Sequence, residues 1–239
     1  MSAPIFPGGT AVTDLAVYDD EAADGCRGGT PHLHTVSTEG YVVIGGSGRV
    51  QTVSADGFAE HALAAGDVVW FSPGTVHRLV NDGELRLLVV MSNAGLPEAG
   101  DAVMTFPAEV LDDPEAYAAA SALPEGDART DAIRARRDLA LEGFAQLRAG
   151  GAEAWAALHE RAVRLVQPRV AGWRELWEAT VAADAERTFA QLTALAAGHT
   201  GALGDAQVVR GEPAAGASGW DSRAYGMCGR LATWRWPSE

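Results

Sequence analysis

The sequence predicts a mainly β domain followed by an α-helical region, and three observations carry this. Between about Val12 and Met91, short apolar runs rich in β-branched residues alternate with glycine turns, the pattern of a β-sandwich or closed barrel. At about Asn93 to Asp101 the composition changes, and from Asp112 onward alanine and arginine dominate, with apolar residues at helical spacing. The chain has 239 residues, 47% of them hydrophobic, which allows one large domain or two small ones with an ample core. The expected division is a β-barrel over residues 1–105 and a helical extension with an aromatic C-terminal tail over 106–239.

Residues 1–11, rich in proline and glycine, are expected to form a loose arm. Val12 to Tyr18 reads as a first strand, and the acidic, Gly-rich stretch Asp19 to Gly29 as a loop. Glu39 to Ile44 is apolar on both faces, as in a buried barrel strand. Gly45-Gly46-Ser47-Gly48 then predicts a turn, and Arg49 to Val53 the return strand of a hairpin. Strands follow at Phe58 to Leu63, Val68 to Phe71 and Leu85 to Met91. In the second half, Asp112-Asp113-Pro114-Glu115 is a helix start, with an aspartate cap and a proline in the first turn. A long helix is expected from about Asp127 to Arg148, its buried face marked by Ile133, Ala140, Phe144 and Leu147 and its end by Gly150-Gly151. Trp155, Leu158, Ala162 and Leu165 give a further stripe, Pro168 interrupts, and Trp173, Trp177, Phe189, Leu192 and Leu195 continue to Gly198. Leu231 to Trp236 reads as a closing strand.

The stretch Pro31-His32-Leu33-His34-Thr35-Val36-Ser37-Thr38-Glu39 is the centre of the functional reading. Side chains alternate on a strand, so His32 and His34 point the same way. Glu39 reaches the same site if the strand bends, and His77 follows the break Ser72-Pro73-Gly74. Three imidazoles and one carboxylate are the donors a divalent transition metal takes.

In these residues the chain resembles the cupins, small antiparallel barrels of jelly-roll type. His32, His34, Glu39 and Gly46 fit the family's first motif, with Cys26 where a leading glycine is usual. Gly66, Gly74, His77 and Asn81 fit the second, with Ser72 in place of its first proline and Pro73 beside it. The resemblance implies a cupin barrel over roughly the first hundred residues, with His32, His34, Glu39 and His77 as ligands to iron, manganese, nickel, copper or zinc. It also implies a range of roles: dioxygenase, isomerase, epimerase, decarboxylase or non-catalytic small-molecule binder. The expectation is a metal-dependent, dioxygenase-like enzyme acting on a small organic molecule. A sugar isomerase or epimerase and a binding protein are the alternatives.

Composition narrows this further. The formal net charge is −14, and ten arginines balance ten acids between Asp127 and His199, so neither half offers the basic surface that nucleic acid or an anionic membrane needs. All 18 cationic residues are arginine, which excludes a lysine Schiff base and a P-loop lysine. The start of the chain lacks the charged and apolar regions of a signal peptide, no apolar run reaches transmembrane length, and two distant cysteines, Cys26 and Cys228, point to a reducing cytoplasm. The helical tract is expected to serve packing or a homodimer. His61, His159 and His199 are expected to be structural. The aromatic residues Trp220, Tyr225, Trp234 and Trp236 are expected to anchor the tail. Arg49, Arg78 and Arg86 are expected at the surface, and are candidates for holding an anionic substrate only if they face inward.

Overall fold

The computed structural model describes residues 6–215 and 222–236. Seven strands precede the helices: β1 (Ala11–Val17), β2 (His32–His34), β3 (Glu39–Ser54), β4 (Gly57–Ala64), β5 (Val68–Phe71), β6 (Val76–Met91) and β7 (Ala102–Met104). Three follow them: β8 (Glu212–Ala215), β9 (Ala224–Tyr225) and β10 (Gly229–Arg235). All are antiparallel members of one sheet in the order β4-β3-β6-β1-β10-β8, with β2 joining β6 to β7, β5 beside β3 and β9 beside β10. The tail strand therefore pairs with the first strand of the chain, Leu15 opposite Leu231. Asp14 reinforces the join by binding Arg86 of β6 and Arg223 of the tail, the latter at 3.1 Å.

The hairpin expected at Gly45–Gly48 does not form. Residues 39–54 run on as the single strand β3, and its register against β6 shifts between Val43 and Gly48. Gly46 has φ 71°, and a Cβ there would sit 2.2 Å from the Glu84 carbonyl oxygen. These glycines mark a bulge where two backbones meet, not a reversal. Arg49 to Val53, read as a return strand, continues in the same direction and supplies part of the barrel core through Val50.

The helices are α1 (Ala108–Leu111), α2 (Pro114–Ser121), α3 (Ala128–Val166), α4 (Val170–Trp177) and α5 (Ala183–Ala196). Asp113 caps α2, accepting from the backbone N–H groups of Glu115 and Ala116. α3 leaves helical geometry at Gly151 (φ 60°, ψ −145°) and then resumes, so the Gly-Gly pair breaks this element without ending it. Its expected face, Ile133, Ala140, Phe144 and Leu147, is buried; the last three pack with Leu33, Val76 and Phe106 outside the barrel. A second core, including Leu15, Tyr41, Leu79 and Leu87, fills the barrel itself. The apolar stripe of α5 is not core. Trp173 on α4 is buried, but Phe189 is 73% exposed and Leu192 61%. In the tail, Trp236 packs against Phe6 with ring centroids 5.9 Å apart, while Trp220 and residues 1–5 lie outside the described residues.

Gly143 fixes how closely α3 approaches the barrel. A Cβ there would meet the Thr105 carbonyl oxygen at 2.1 Å, and the Thr105 hydroxyl donates to the Ala140 carbonyl at 2.8 Å. Alanine in place of a helical glycine ordinarily stabilises by about 1 kcal/mol. At this position the sign should reverse: Gly143→Ala is expected to destabilise by about 1–3 kcal/mol through overpacking. Urea unfolding checks this, and a stabilised variant would contradict the close approach.

Candidate metal centre

The short strand β2 carries His32 and His34 on the same side of the sheet. Glu39 opens β3, and His77 lies near the start of β6, directly opposite His32 in register. All four side chains are buried, and one ligand atom from each lies within 4.8 Å of the other three. His32 Nε2 is 3.1 Å from His77 Nε2, and Glu39 Oε2 is 3.2 Å from His34 Nε2 and 3.0 Å from His77 Nε2. Two donors about 2.1 Å from one ion at right angles to each other sit about 3.0 Å apart, so the spacing suits a shared cation.

The outer nitrogens explain why the inner ones need one. His32 Nδ1 donates to the Thr30 carbonyl at 2.8 Å and His77 Nδ1 to the Thr75 carbonyl at 3.2 Å. His34 Nδ1 donates to the Asp101 carboxylate at 2.6 Å. With protons committed there, the Nε2 lone pairs face inward. They converge on Glu39 Oε2, itself an acceptor, which takes no well-directed hydrogen bond. Four acceptors converging in a buried site fit a divalent metal better than one another.

The electrostatics agree. Burial, with the neighbouring His77 and His34 rings, holds His32 well below the usual imidazole range. Burial pushes the Glu39 carboxyl up, but His77 and His34 outweigh it and hold it well below its ordinary value. Burial also opposes charge on His34, yet its hydrogen bond to Asp101 and the adjacent Glu39 carboxylate carry its pKa up to about 10. The raised pKa favours a second proton, on the inward-facing Nε2 of His34, when no metal is bound. Metal must displace it, so loading with zinc at pH 7.5 is expected to release close to one proton per ion, with apparent affinity rising as pH rises toward that value. Calorimetric titration in two buffers of different ionisation enthalpy measures this. Identical heats in both would contradict it.

Asp101, fully buried, was not foreseen from the sequence. Its second oxygen accepts the Ser37 backbone N–H at 3.0 Å, and the hydrogen bonds from His34 and Ser37 outweigh burial and lower its pKa. Nothing in its local sequence separates it from Glu98, the other acid of the loop between β6 and β7. His159 Nε2 donates to the Gly74 carbonyl at 2.8 Å, bracing the loop that delivers His77. His61 and His199 are exposed and lie outside the cluster.

A cavity of about 550 Å³ opens onto His32, His34 and Glu39. Its walls are largely apolar, from Leu15, Val89, Met91 and Leu231, and the tail supplies Tyr225 to Cys228. The arginine that lines it is Arg136 of α3, not one of the three foreseen. Arg49 is occupied outside by Asp82 and Glu60, Arg78 is buried against Asp24, and Arg86 is held by Asp14. Arg136 falls three residues after Ile133 and four before Ala140, so the helical periodicity already placed it on the inward face.

Residues 21–91 match the family model of the cupin domain. Comparison with curated proteins returns no match. Among solved structures, the Streptomyces protein Pac13, determined with uridine, is 18% identical, with a TM-score of 0.32, over 42% of this chain and 69% of that one. Another structure of Pac13, described as a unique nucleoside dehydratase, is 18% identical with a TM-score of 0.32 over 42% and 70% of the two chains. A cupin 2 conserved barrel domain protein from Salinispora arenicola is 20% identical with a TM-score of 0.29, over 41% of this chain and 75% of that one. The matched segment, residues 21–91, is a cupin domain that contains all four converging side chains, and a helical region follows it in the chain.

Proposed function

We propose that the protein is a metal-dependent enzyme acting on a small organic molecule, most consistent with dioxygenase-like chemistry. The observation that carries this reading is the convergence of His32, His34, Glu39 and His77 beside an accessible cavity. A divalent metal bound there supplies Lewis acidity and, if it is iron, oxygen chemistry. The protein's own residues do the rest. Thr30, Asp101 and Thr75 orient the three rings through Nδ1. The apolar walls keep water from the reacting group, and Arg136 adds a fixed positive charge.

The same walls favour this reading over a sugar isomerase or epimerase, whose substrates need many hydrogen-bonding partners. The hydroxyls lining the cavity are those of Thr13, Thr233 and Tyr225. A cytoplasmic location is part of the proposal, supported by Cys26 and Cys228, both free thiols. No helix of the described residues is long and apolar enough to cross a membrane. The test is anaerobic reconstitution with iron(II), then oxygen uptake over a panel of small aromatic and aliphatic acids. Substrate-dependent uptake is expected. A loaded protein that consumes no oxygen with any of them, but converts sugar derivatives anaerobically, would move the assignment to the isomerase class.

A further inference from the structure

Among the described residues, the buried arginines other than Arg136 have an acid or an aromatic ring beside them. Arg78 is paired with Asp24. Arg137 lies 3.2 Å from Asp20 and donates to the carbonyls of Asp20 and Glu21. Arg230 stacks its guanidinium 3.8 Å over the Tyr225 ring. Arg136, only 7% exposed, donates through Nη2 to the Gly226 carbonyl at 3.2 Å, and its Nε is buried without a partner. Among the described residues no carboxylate lies within salt-bridge distance of it. Glu98, which also lines the cavity, is exposed at the mouth and accepts the Gly95 backbone N–H at 3.1 Å.

A guanidinium stays charged in a protein, and a buried charge without a counter-ion is costly. Here the guanidinium faces the same cavity as the metal ligands. The cavity thus presents a cation-binding cluster, an unmatched cation and apolar walls between. We infer that Arg136 is the anchor for a carboxylate on the substrate, which is a small organic acid with an apolar body, held between the guanidinium and the metal centre. The inference rests on the proposed metal-dependent reading for the second contact, but the arginine contact stands without it. Because Arg136 comes from α3, the helical region then contributes directly to substrate selection as well as packing on the barrel. The guanidinium offers a forked pair of N–H donors that fits a carboxylate and gives a neutral amide far less.

The experiment uses the full-length protein, metal-free and zinc-loaded, titrated calorimetrically with acetate, benzoate and phenylacetate. The matched neutral probes are acetamide, benzamide and phenylacetamide. At least one acid is expected to bind about tenfold or more tightly than its amide, since a charge-assisted pair is replaced by a neutral one. In Arg136→Met that acid should lose about 30-fold or more in affinity while zinc stoichiometry stays at the wild-type value. Arg136→Lys keeps the charge without the fork and should fall between. It also serves if the methionine variant does not fold. Acids that bind no better than their amides, or not at all, overturn the inference. So does a variant that changes melting temperature while leaving the acid-over-amide preference intact, because that is a purely structural arginine. Loss of zinc binding in the wild type, with Arg136-dependent acid binding retained, rejects the metal reading and leaves the arginine assignment standing.

Discussion

His34→Ala abolishes stoichiometric divalent metal, lowering affinity by more than the 10–100-fold that loss of an outer partner typically costs. The ring does two jobs in the cluster. Its Nε2 faces Glu39 at 3.2 Å and its Nδ1 holds Asp101 at 2.6 Å, so truncation removes a candidate ligand and takes a shared partner from two buried carboxylates. The variant should remain folded, because the barrel core is built from other residues, including Leu15, Tyr41, Leu79 and Leu87. Circular dichroism verifies the fold and elemental analysis the metal. A folded variant with full metal content would remove His34 from the ligand set.

Asp101→Asn is the second large effect, and it separates ligand from support. The amide oxygen can still accept from His34 Nδ1, so ring position is retained. What is lost is the negative charge that raises the basicity of His34 and meets the Ser37 backbone N–H at 3.0 Å. Metal affinity should fall about 10–100-fold without disappearing, the range found for such partners of metal-bound histidines. The His34 pKa should drop toward its ordinary value, which nuclear magnetic resonance of the metal-free ring would follow. An unchanged affinity would mean that Asp101 only fills space. The contrast between a lost and a weakened site is what distinguishes the two positions.

Much of the barrel, and the four side chains that cluster in it, were legible in the sequence for a physical reason. Strand alternation puts His32 and His34 on one side regardless of tertiary context, and the break at Ser72-Pro73-Gly74 announces a loop before His77. What escaped depended on long-range contacts. The glycines of residues 45–48 look alike in a turn and in a bulge until β6 lies beside them. Asp101 is separated from His34 by 67 residues, and only β2–β7 pairing brings them together. Arg49, Arg78 and Arg86, candidates for a substrate anion only if they faced inward, each have an acid close at hand in the fold, which residue type alone does not reveal. Arg136 was accessible in principle: a charge on the inward face of a helix demands an explanation, and helical spacing had already identified that face. The tail strand β10 was read as a strand, but its partner β1 lies more than two hundred residues away, beyond any local pattern.

The metal centre is tested most directly by anomalous diffraction from crystals of the protein loaded with manganese or cobalt. A single anomalous peak should lie between Nε2 of His32, His34 and His77 and the Glu39 carboxylate. A map without a peak there, with the four side chains joined only by hydrogen bonds, would contradict the centre and leave a cupin barrel without metal chemistry.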